Sequence, residues 1–327
     1  MTTSMPSQGP DSPEMSFRQL GDSGLTVSVA GLGCNTFGAT LEPDGVADIV
    51  HAALEAGVTF FDTADVYGGA PGQSEELLGQ ALAGRRDDVV VATKFGMDVA
   101  GLNGPDWGVR GSRRYIRRAV EGSLRRLRTD HVDLYQMHAP DPVTPLDETL
   151  GALHELVVEG KVRYLGSSNF SGWQVVDADW TARTAGLTPF VSAQNRYNLL
   201  AREAEAELVP ALEHVGVGLL PYVPLASGLL TGKYRRGEAA PMGSRLTRMP
   251  LRLQHADFDR IEGLSALAAE WGVDLPTLAL GALAAQPAVA SVISGARTPT
   301  QVRANVASVA WEPTLDQLAA IDELTEA

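Results

Sequence analysis

Two hydrophobic rhythms alternate along the chain. Short, nearly continuous apolar runs read as buried strands, and segments with apolar positions three and four apart read as amphipathic helices. Strand-like runs fall at 29–33, 59–62, 89–93, 132–137, 162–166, 190–194, 218–223 and 289–293. Helical patterns fall between and after them, at 44–56, 74–83, 113–127, 146–158, 172–185, 203–214, 258–271, 276–285 and 300–306. Ser74 and Glu75 suit a helix N-terminus, and Ser112 reads as a cap. Strand and helix repeat about every 30 residues, which is the unit of a (β/α)8 barrel, the TIM-barrel form of the α/β class. Upstream, 17–20 and 25–29 flank Gly-Asp-Ser-Gly, a hairpin signal, and this hairpin is expected to cap one barrel end. A last amphipathic segment, 315–324, is expected to pack outside. Residues 17–327 therefore read as one barrel domain. Residues 1–16 are polar, lack the basic start and apolar middle of a signal peptide, and read as a flexible tail.

The polar residues collect where the strand runs end. TFFDTADVYG carries Asp62 and Tyr67, VVVATK ends in Lys94, and VDLYQMH ends in His138. Later runs end in Ser168 and Asn169, in Gln194, in Tyr222, and in Ser294 and Gly295. In a parallel barrel those ends share one rim, so residues far apart in sequence meet in one pocket. An unpaired polar group buried there costs free energy, and a ligand is the simplest partner. Tyrosine, with a pKa of about 10, is a poor acid at neutral pH unless a cation favours its phenolate. The expectation is therefore that Lys94 lowers the pKa of Tyr67, that Asp62 holds Lys94, and that His138 orients a carbonyl oxygen. This set delivers a proton to oxygen while a hydride reaches the adjacent carbon. No side chain donates hydride, so a nicotinamide or flavin is required.

Composition narrows the field. The 327 residues include 40 acidic and 26 basic ones, for a net charge of -14, which repels nucleic acid and anionic membranes. No apolar run has transmembrane length. Eight arginines lie between Arg110 and Arg128, but Ile116, Val120, Leu124 and Leu127 form an apolar stripe among them. The segment reads as an outer helix with a basic solvent face, not a nucleic-acid site. Cys34 is the sole cysteine, which excludes an intrachain disulfide and fits a reducing, cytoplasmic setting. Neither HxH nor HExxH spacing occurs beside a carboxylate cluster, and no metal is expected. A doubly wound dinucleotide fold is the structural rival, but GLGCNTFG lacks the GxGxxG spacing. Phe37 and Trp107, in rim segments, are candidates to wall an apolar substrate pocket.

The words GLGCNTFG, FFDTADVYG, VATKFG, LYQMH, GSSNF, QNRYNLL, YVPLASGLLTGKY and SVISGARTPTQVRAN follow one another across nearly the whole chain. In this series the sequence resembles the aldo-keto reductase superfamily, most closely its bacterial long-chain members related to potassium-channel beta subunits. The resemblance implies a reductase of aldehydes or ketones using the 4-pro-R hydride of an extended NAD(P)H, held without a Rossmann domain. It makes Tyr67 the proton donor, Asp62 and Lys94 its partners, and His138 the substrate-orienting residue. Ser168, Asn169 and Gln194 match positions that hold the nicotinamide carboxamide, and Tyr222 the aromatic that stacks on its ring. Leu225, Gly228 and Lys233 match the segment over the pyrophosphate. Gly295, Arg297, Gln301 and Asn305 match the adenosine end. Many members carry a lysine where this chain has Gly295 and a glutamate where it has Ala304. Arg297 supplies a bidentate phosphate contact in the lysine's stead, which favours NADPH over NADH. The expected partner is a small carbonyl compound, with monomer and homo-oligomer both open. The resemblance leaves a second reading, a cofactor-binding regulatory subunit with slow turnover. A third, a barrel isomerase or hydrolase, needs no nicotinamide.

Overall fold

The computed structural model describes residues 15–325. A short antiparallel hairpin comes first, β1 (Phe17–Gln19) and β2 (Thr26–Ser28). Then β3 (Ala30–Gly33), α1 (Pro43–Glu55), β4 (Phe60–Asp62), α2 (Gln73–Ala81), β5 (Val90–Phe95), α3 (Arg113–Leu127), β6 (Val132–Met137), α4 (Leu146–Val158) and β7 (Val162–Ser168) alternate. The second half runs α5 (Gly172–Thr184), β8 (Phe190–Arg196), α6 (Leu208–Val215), β9 (Gly218–Tyr222), α7 (Pro250–Gln254), α8 (Phe258–Glu270), α9 (Leu275–Ala284), β10 (Val292–Gly295), α10 (Pro299–Val309) and α11 (Leu315–Thr325). Strands β3 to β10 are parallel and close in the order β10-β3-β4-β5-β6-β7-β8-β9. The expected barrel of eight strands with a hairpin ahead of it is what forms.

Strand alternation sorts the barrel interior into two levels. Phe60, Ala92, Leu134 and Leu220 pack with Leu20, Leu25 and Val27 of the hairpin in one buried cluster. The hairpin thus plugs the end of the barrel where the strands begin. Two residues further along the same strands stand Asp62, Lys94, Gln136 and Tyr222, pointing the same way because side chains alternate with period two. The polar level therefore lies at the strands' C-terminal end, above an apolar floor. A second, larger cluster joins the outward faces of the strands to the helices. A third gathers α8, α9 and α11 with the turn Ala226–Thr231.

Some boundaries differ from the hydrophobic pattern, each for a local reason. The helix expected at 203–214 splits into a 3-10 turn, Glu203–Glu205, and α6. Pro210 has no N–H, and its ring collides with the carbonyl four residues back, so it is accepted only in the first turn of a new helix. The last barrel strand lies at β10, not 289–293. Its ladder with β3 begins at Val292 opposite Ala30, while Val289 makes only an isolated bridge to Leu219. Ser74 is not an exposed cap. Its hydroxyl is buried, donates to the Cys34 carbonyl at 2.8 Å and lies 2.8 Å from Thr63 Oγ1. Ser112 stands at the N-cap of α3, but its hydroxyl donates back to the Val109 carbonyl. Of the expected tail 1–16, residues 1–14 lie outside the described residues. Met15 packs against the core, and Ser16 accepts from the Val29 amide at 3.0 Å.

The plug can be tested at Leu20, which is fully buried. Leu20→Ala removes the side chain that seals the floor and is expected to cost about 2–4 kcal/mol. In urea unfolding the midpoint should fall with an unchanged slope.

Candidate active site

The site is built outward from Lys94. Its side chain is fully buried, and its ammonium is held by oxygen acceptors in place of water. Nζ donates to Asp62 Oδ1 at 2.8 Å and Oδ2 at 2.6 Å, to the Thr63 carbonyl at 3.1 Å, and to the Tyr67 hydroxyl at 3.3 Å. Burial alone lowers an ammonium's pKa, but the Asp62 carboxylate and Tyr67 oxygen outweigh it and hold Lys94 above its usual range. Asp62 in turn accepts from Gln194 Nε2 at 2.8 Å and Gln136 Nε2 at 3.2 Å. Four strands thus converge on one carboxylate: β4 carries it, and β5, β6 and β8 supply its donors.

Tyr67 stands just beyond β4, in the loop that leads to α2. Burial raises its pKa, and the opposing pull of Lys94 does not cancel that. Lys94 does pull the Tyr67 pKa down, as expected, but the net direction is corrected: desolvation of the phenolate exceeds the attraction of the nearby ammonium, and Tyr67 stays a phenol. The His138 ring meets the Tyr67 ring edge-on, with centroids 5.7 Å apart and planes at 85°. Burial first, and the Lys94 charge second, lower the His138 pKa to about 3. His138 is thus neutral at physiological pH and offers an N–H. Its Nδ1 is buried without a hydrogen-bond partner.

A chain of hydrogen bonds links this centre to the next strands. Asn169 Nδ2 donates to the His138 carbonyl at 2.9 Å, and the Tyr222 hydroxyl donates to Asn169 Oδ1 at 2.7 Å. Asn169 and Val223 both have left-handed backbone, with φ of 59° and 57°. For a β-branched residue such as Val223 that is a genuine outlier, held by the surrounding rim.

From Asp62, Tyr67 and His138 a cavity of about 790 Å³ runs across Tyr222 to Arg297 and Asn305. Ser168, Asn169, Gln194, Leu225, Gly228 and Lys233 line it, as do Gly295 and Gln301. The residues expected at the cofactor are therefore brought together. Gln194 serves the Asp62 network as well as the wall. Arg297 is tied down at both ends: its amide donates to Gln301 Oε1 at 2.8 Å and its guanidinium to the Gly243 carbonyl at 3.3 Å. The second bond joins β10's following loop to the long connection after β9.

Phe37 and Trp107 are not brought to the cavity. Phe37 is completely buried in the main core. Trp107 is 71% exposed, with the Arg114 guanidinium 4.5 Å from its ring centroid. An aromatic in a glycine-rich loop gives no sign of which way it turns. Gln136 was missed, although it stands two residues before His138 and so faces the same interior. Asn35, Arg245 and Arg248 also line the cavity, and the last two sit in a segment without hydrophobic rhythm.

The cavity fits a long, phosphate-bearing ligand. Ser227, Ser244 and Ser294 line it, and each has a buried hydroxyl oxygen without a partner. Lys233 and Arg297 add positive charge along its length. Such orphaned hydroxyls and the neighbouring cations suit phosphate and amide groups.

The fold is a closed parallel barrel with a lysine, carboxylate, phenol and imidazole gathered at one rim, and sequence comparison gives its family. The profile of the Aldo/keto reductase family matches residues 30–326. The "Uncharacterized oxidoreductase YrpG" of Bacillus subtilis (strain 168) is 39% identical over 303 residues, covering 90% of this chain and 91% of that protein. A "Probable voltage-gated potassium channel subunit beta" of Oryza sativa subsp. japonica is 38% identical over 312 residues, covering 92% and 93%. "Probable aldo-keto reductase 1" of Glycine max is 38% identical over 259 residues, covering 76% and 71%. This chain belongs to the aldo-keto reductase family, whose members generally bind a nicotinamide cofactor and whose chemistry is carbonyl oxidoreduction. No helix among the described residues is long and apolar enough to cross a membrane.

Behind the site lies a second buried cluster with a measurable consequence. Glu75 accepts from Thr93 at 2.6 Å and from Arg126 at 2.7 Å, and Asp65 accepts from Asn103 at 2.9 Å. Burial, and then the Glu75 charge, raise the Asp65 pKa to about 8, since two carboxylates share the Arg126 charge. The folded state therefore keeps a proton that the unfolded chain loses above the usual 3.8, so this group's contribution to stability falls as pH rises from 3.8 to about 8. Asp65→Asn removes that loss. Its melting temperature relative to wild type should rise between pH 5 and pH 8, by the equivalent of about 3–4 kcal/mol. Thermal melts at both pH values check this.

Proposed function

We propose that the protein is an NADPH-dependent reductase of aldehydes or ketones in which Tyr67 is the proton donor. The observation that carries the reading is the position of Lys94, bonded to Asp62 and 3.3 Å from the Tyr67 hydroxyl at the head of the cavity. The carbonyl oxygen sits between the Tyr67 hydroxyl and the neutral imidazole of His138, which holds it by an N–H hydrogen bond. Tyr67 gives its proton to that oxygen as charge develops there. Lys94 stabilises the resulting phenolate, and Asp62 keeps the ammonium in place and charged. Reduced nicotinamide, when bound, supplies the hydride to the carbonyl carbon. Ser168, Asn169 and Gln194 would hold its carboxamide, Tyr222 would stack on its ring, and Leu225, Gly228 and Lys233 would lie along the pyrophosphate. Arg297, Gln301 and Asn305 would take the adenosine end. A Cβ added at Gly295 would meet nothing closer than 3.7 Å, so the glycine is not required by close packing at that atom. Arg297 is then the cation at that end. A cytoplasmic setting belongs to this reading.

The channel-subunit name of the rice relative favours one second reading, a regulatory subunit that holds NADPH and turns over slowly. A stable partner and a turnover far below the usual 1–1000 per second or so would select it.

Fluorescence titration of NADPH, followed by a carbonyl panel read at 340 nm, tests the proposal. Tyr67→Phe and Lys94→Met should lower kcat by about 100-fold to 10,000-fold while both variants still bind NADPH. Retained turnover in Tyr67→Phe would remove it as the donor. Arg297→Ala should weaken NADPH about tenfold or more and leave NADH nearly unchanged.

The pH profile is a separate check. The donor must be protonated, so reduction is supported below the Tyr67 pKa and lost above it. With that pKa raised above 10.0, kcat/KM should stay level from neutral pH to beyond pH 9. No limb should appear near 6.5, because His138 is already neutral there. A loss of kcat/KM on acidification through 6.5 would contradict the assigned state of His138.

A further inference from the structure

Asn198 stands in the connection from β8 to α6 and does not line the cavity. It is completely buried, which is uncommon for asparagine, so both ends of its amide need partners. Oδ1 accepts from the Leu200 amide at 3.0 Å, and Nδ2 donates to the Val223 carbonyl at 3.1 Å. The first partner can only donate and the second only accept, so the amide has one orientation. Its backbone is fixed as well. The Asn198 N–H donates to the Ala201 carbonyl at 3.2 Å, and its carbonyl accepts from the Ala201 N–H at 2.9 Å. Asn198 is thus a rigid donor aimed at one carbonyl.

That carbonyl belongs to the β-branched outlier of the rim. Val223 has φ of 57°, which its branched side chain disfavours, and it precedes Pro224, whose ring favours extended backbone before it. Two local preferences therefore pull Val223 away from the conformation it holds. Its carbonyl also accepts from the Ala226 amide at 3.0 Å, which closes a turn. With both lone pairs engaged, relaxation of Val223 would swing the carbonyl away from both donors and leave the Asn198 amide buried and unpaired. The cost of that loss opposes the relaxation.

The turn shapes the cavity wall. Tyr222, Val223, Pro224, Leu225, Ser227 and Gly228 line it in succession. Tyr222 is held at its far end, where the hydroxyl donates to Asn169, but its backbone end is set by Val223. We propose that Asn198 is a positioning residue for the nicotinamide end of the site, holding the left-handed turn at Val223 so that the Tyr222 ring and the backbone from Pro224 to Gly228 meet the cofactor. This rests on the reductase reading, which puts nicotinamide on Tyr222, and adds to it a residue that never touches the ligand.

Dissociation constants test it without turnover. Intact wild type, Asn198→Ala, Val223→Gly and the double variant are titrated with NADPH, and with 2',5'-ADP and AMP, which carry only the adenosine end. Asn198→Ala should weaken NADPH about tenfold while fragment binding changes by less than about twofold. Retained fragment binding also shows that the variant is folded. Glycine adopts positive φ readily, so in the Val223→Gly background the same substitution should weaken NADPH by less than about threefold. Asn198→Asp keeps the shape and the Leu200 bond but, when ionised, cannot donate to Val223. It should repeat the loss, and it stands in where Asn198→Ala does not fold. An NADPH constant unchanged in Asn198→Ala overturns the proposal. So does equal weakening of NADPH and the fragments, which marks a merely structural residue. A full tenfold loss in the Val223→Gly background overturns it too, because Val223 would then not be the route. Should neither fragment bind measurably, the Val223→Gly comparison decides alone. If NADPH binds but no carbonyl is reduced, the reductase reading fails by itself and the NADPH constants still decide the role of Asn198. If wild type binds no nicotinamide cofactor, both fall.

Discussion

The buried ion pair between Lys94 and Asp62 organises this molecule's working end. A charged ammonium inside a barrel is expensive unless its partners are fixed before it arrives. Here the barrel's closure fixes them. Asp62 ends one strand, Lys94 lies in the next, and Gln136 and Gln194 come from strands on the far side of the carboxylate. Deleting either charge would strand the other in a low-dielectric interior, at a cost of about 3–5 kcal/mol. The pair is weak evidence for stability and strong evidence for use. It places a permanent cation next to a phenol that is itself buried and neutral.

The proposed role of Tyr67 as proton donor rests on that juxtaposition. A phenol in water gives up its proton too reluctantly to be useful near neutral pH, and burial makes this worse. The raised pKa keeps the proton on Tyr67 until a base of sufficient strength appears. A carbonyl oxygen that is acquiring negative charge is such a base. In the proposed reaction Lys94 would meet the phenolate as it forms, with no reorganisation of solvent. The neutral His138 completes the arrangement, because an imidazolium beside Lys94 would add a second buried cation.

Much of this was legible in the chain because barrel strands announce themselves twice, by an apolar run and by the polar residue that ends it. Asp62, Lys94 and His138 were found from that signature alone. Gln136 obeys the same alternation but sits inside the run, where a single polar residue is easily passed over. The direction of the Tyr67 pKa was not legible. It depends on how much of the ring the loop to α2 covers, and desolvation against attraction is a contest of magnitudes that sequence does not contain. Phe37 and Trp107 failed for a related reason: one turned into the core and the other out to Arg114, a choice made by tertiary packing. Pro210 carried its own warning, since a proline inside a helical pattern marks a break.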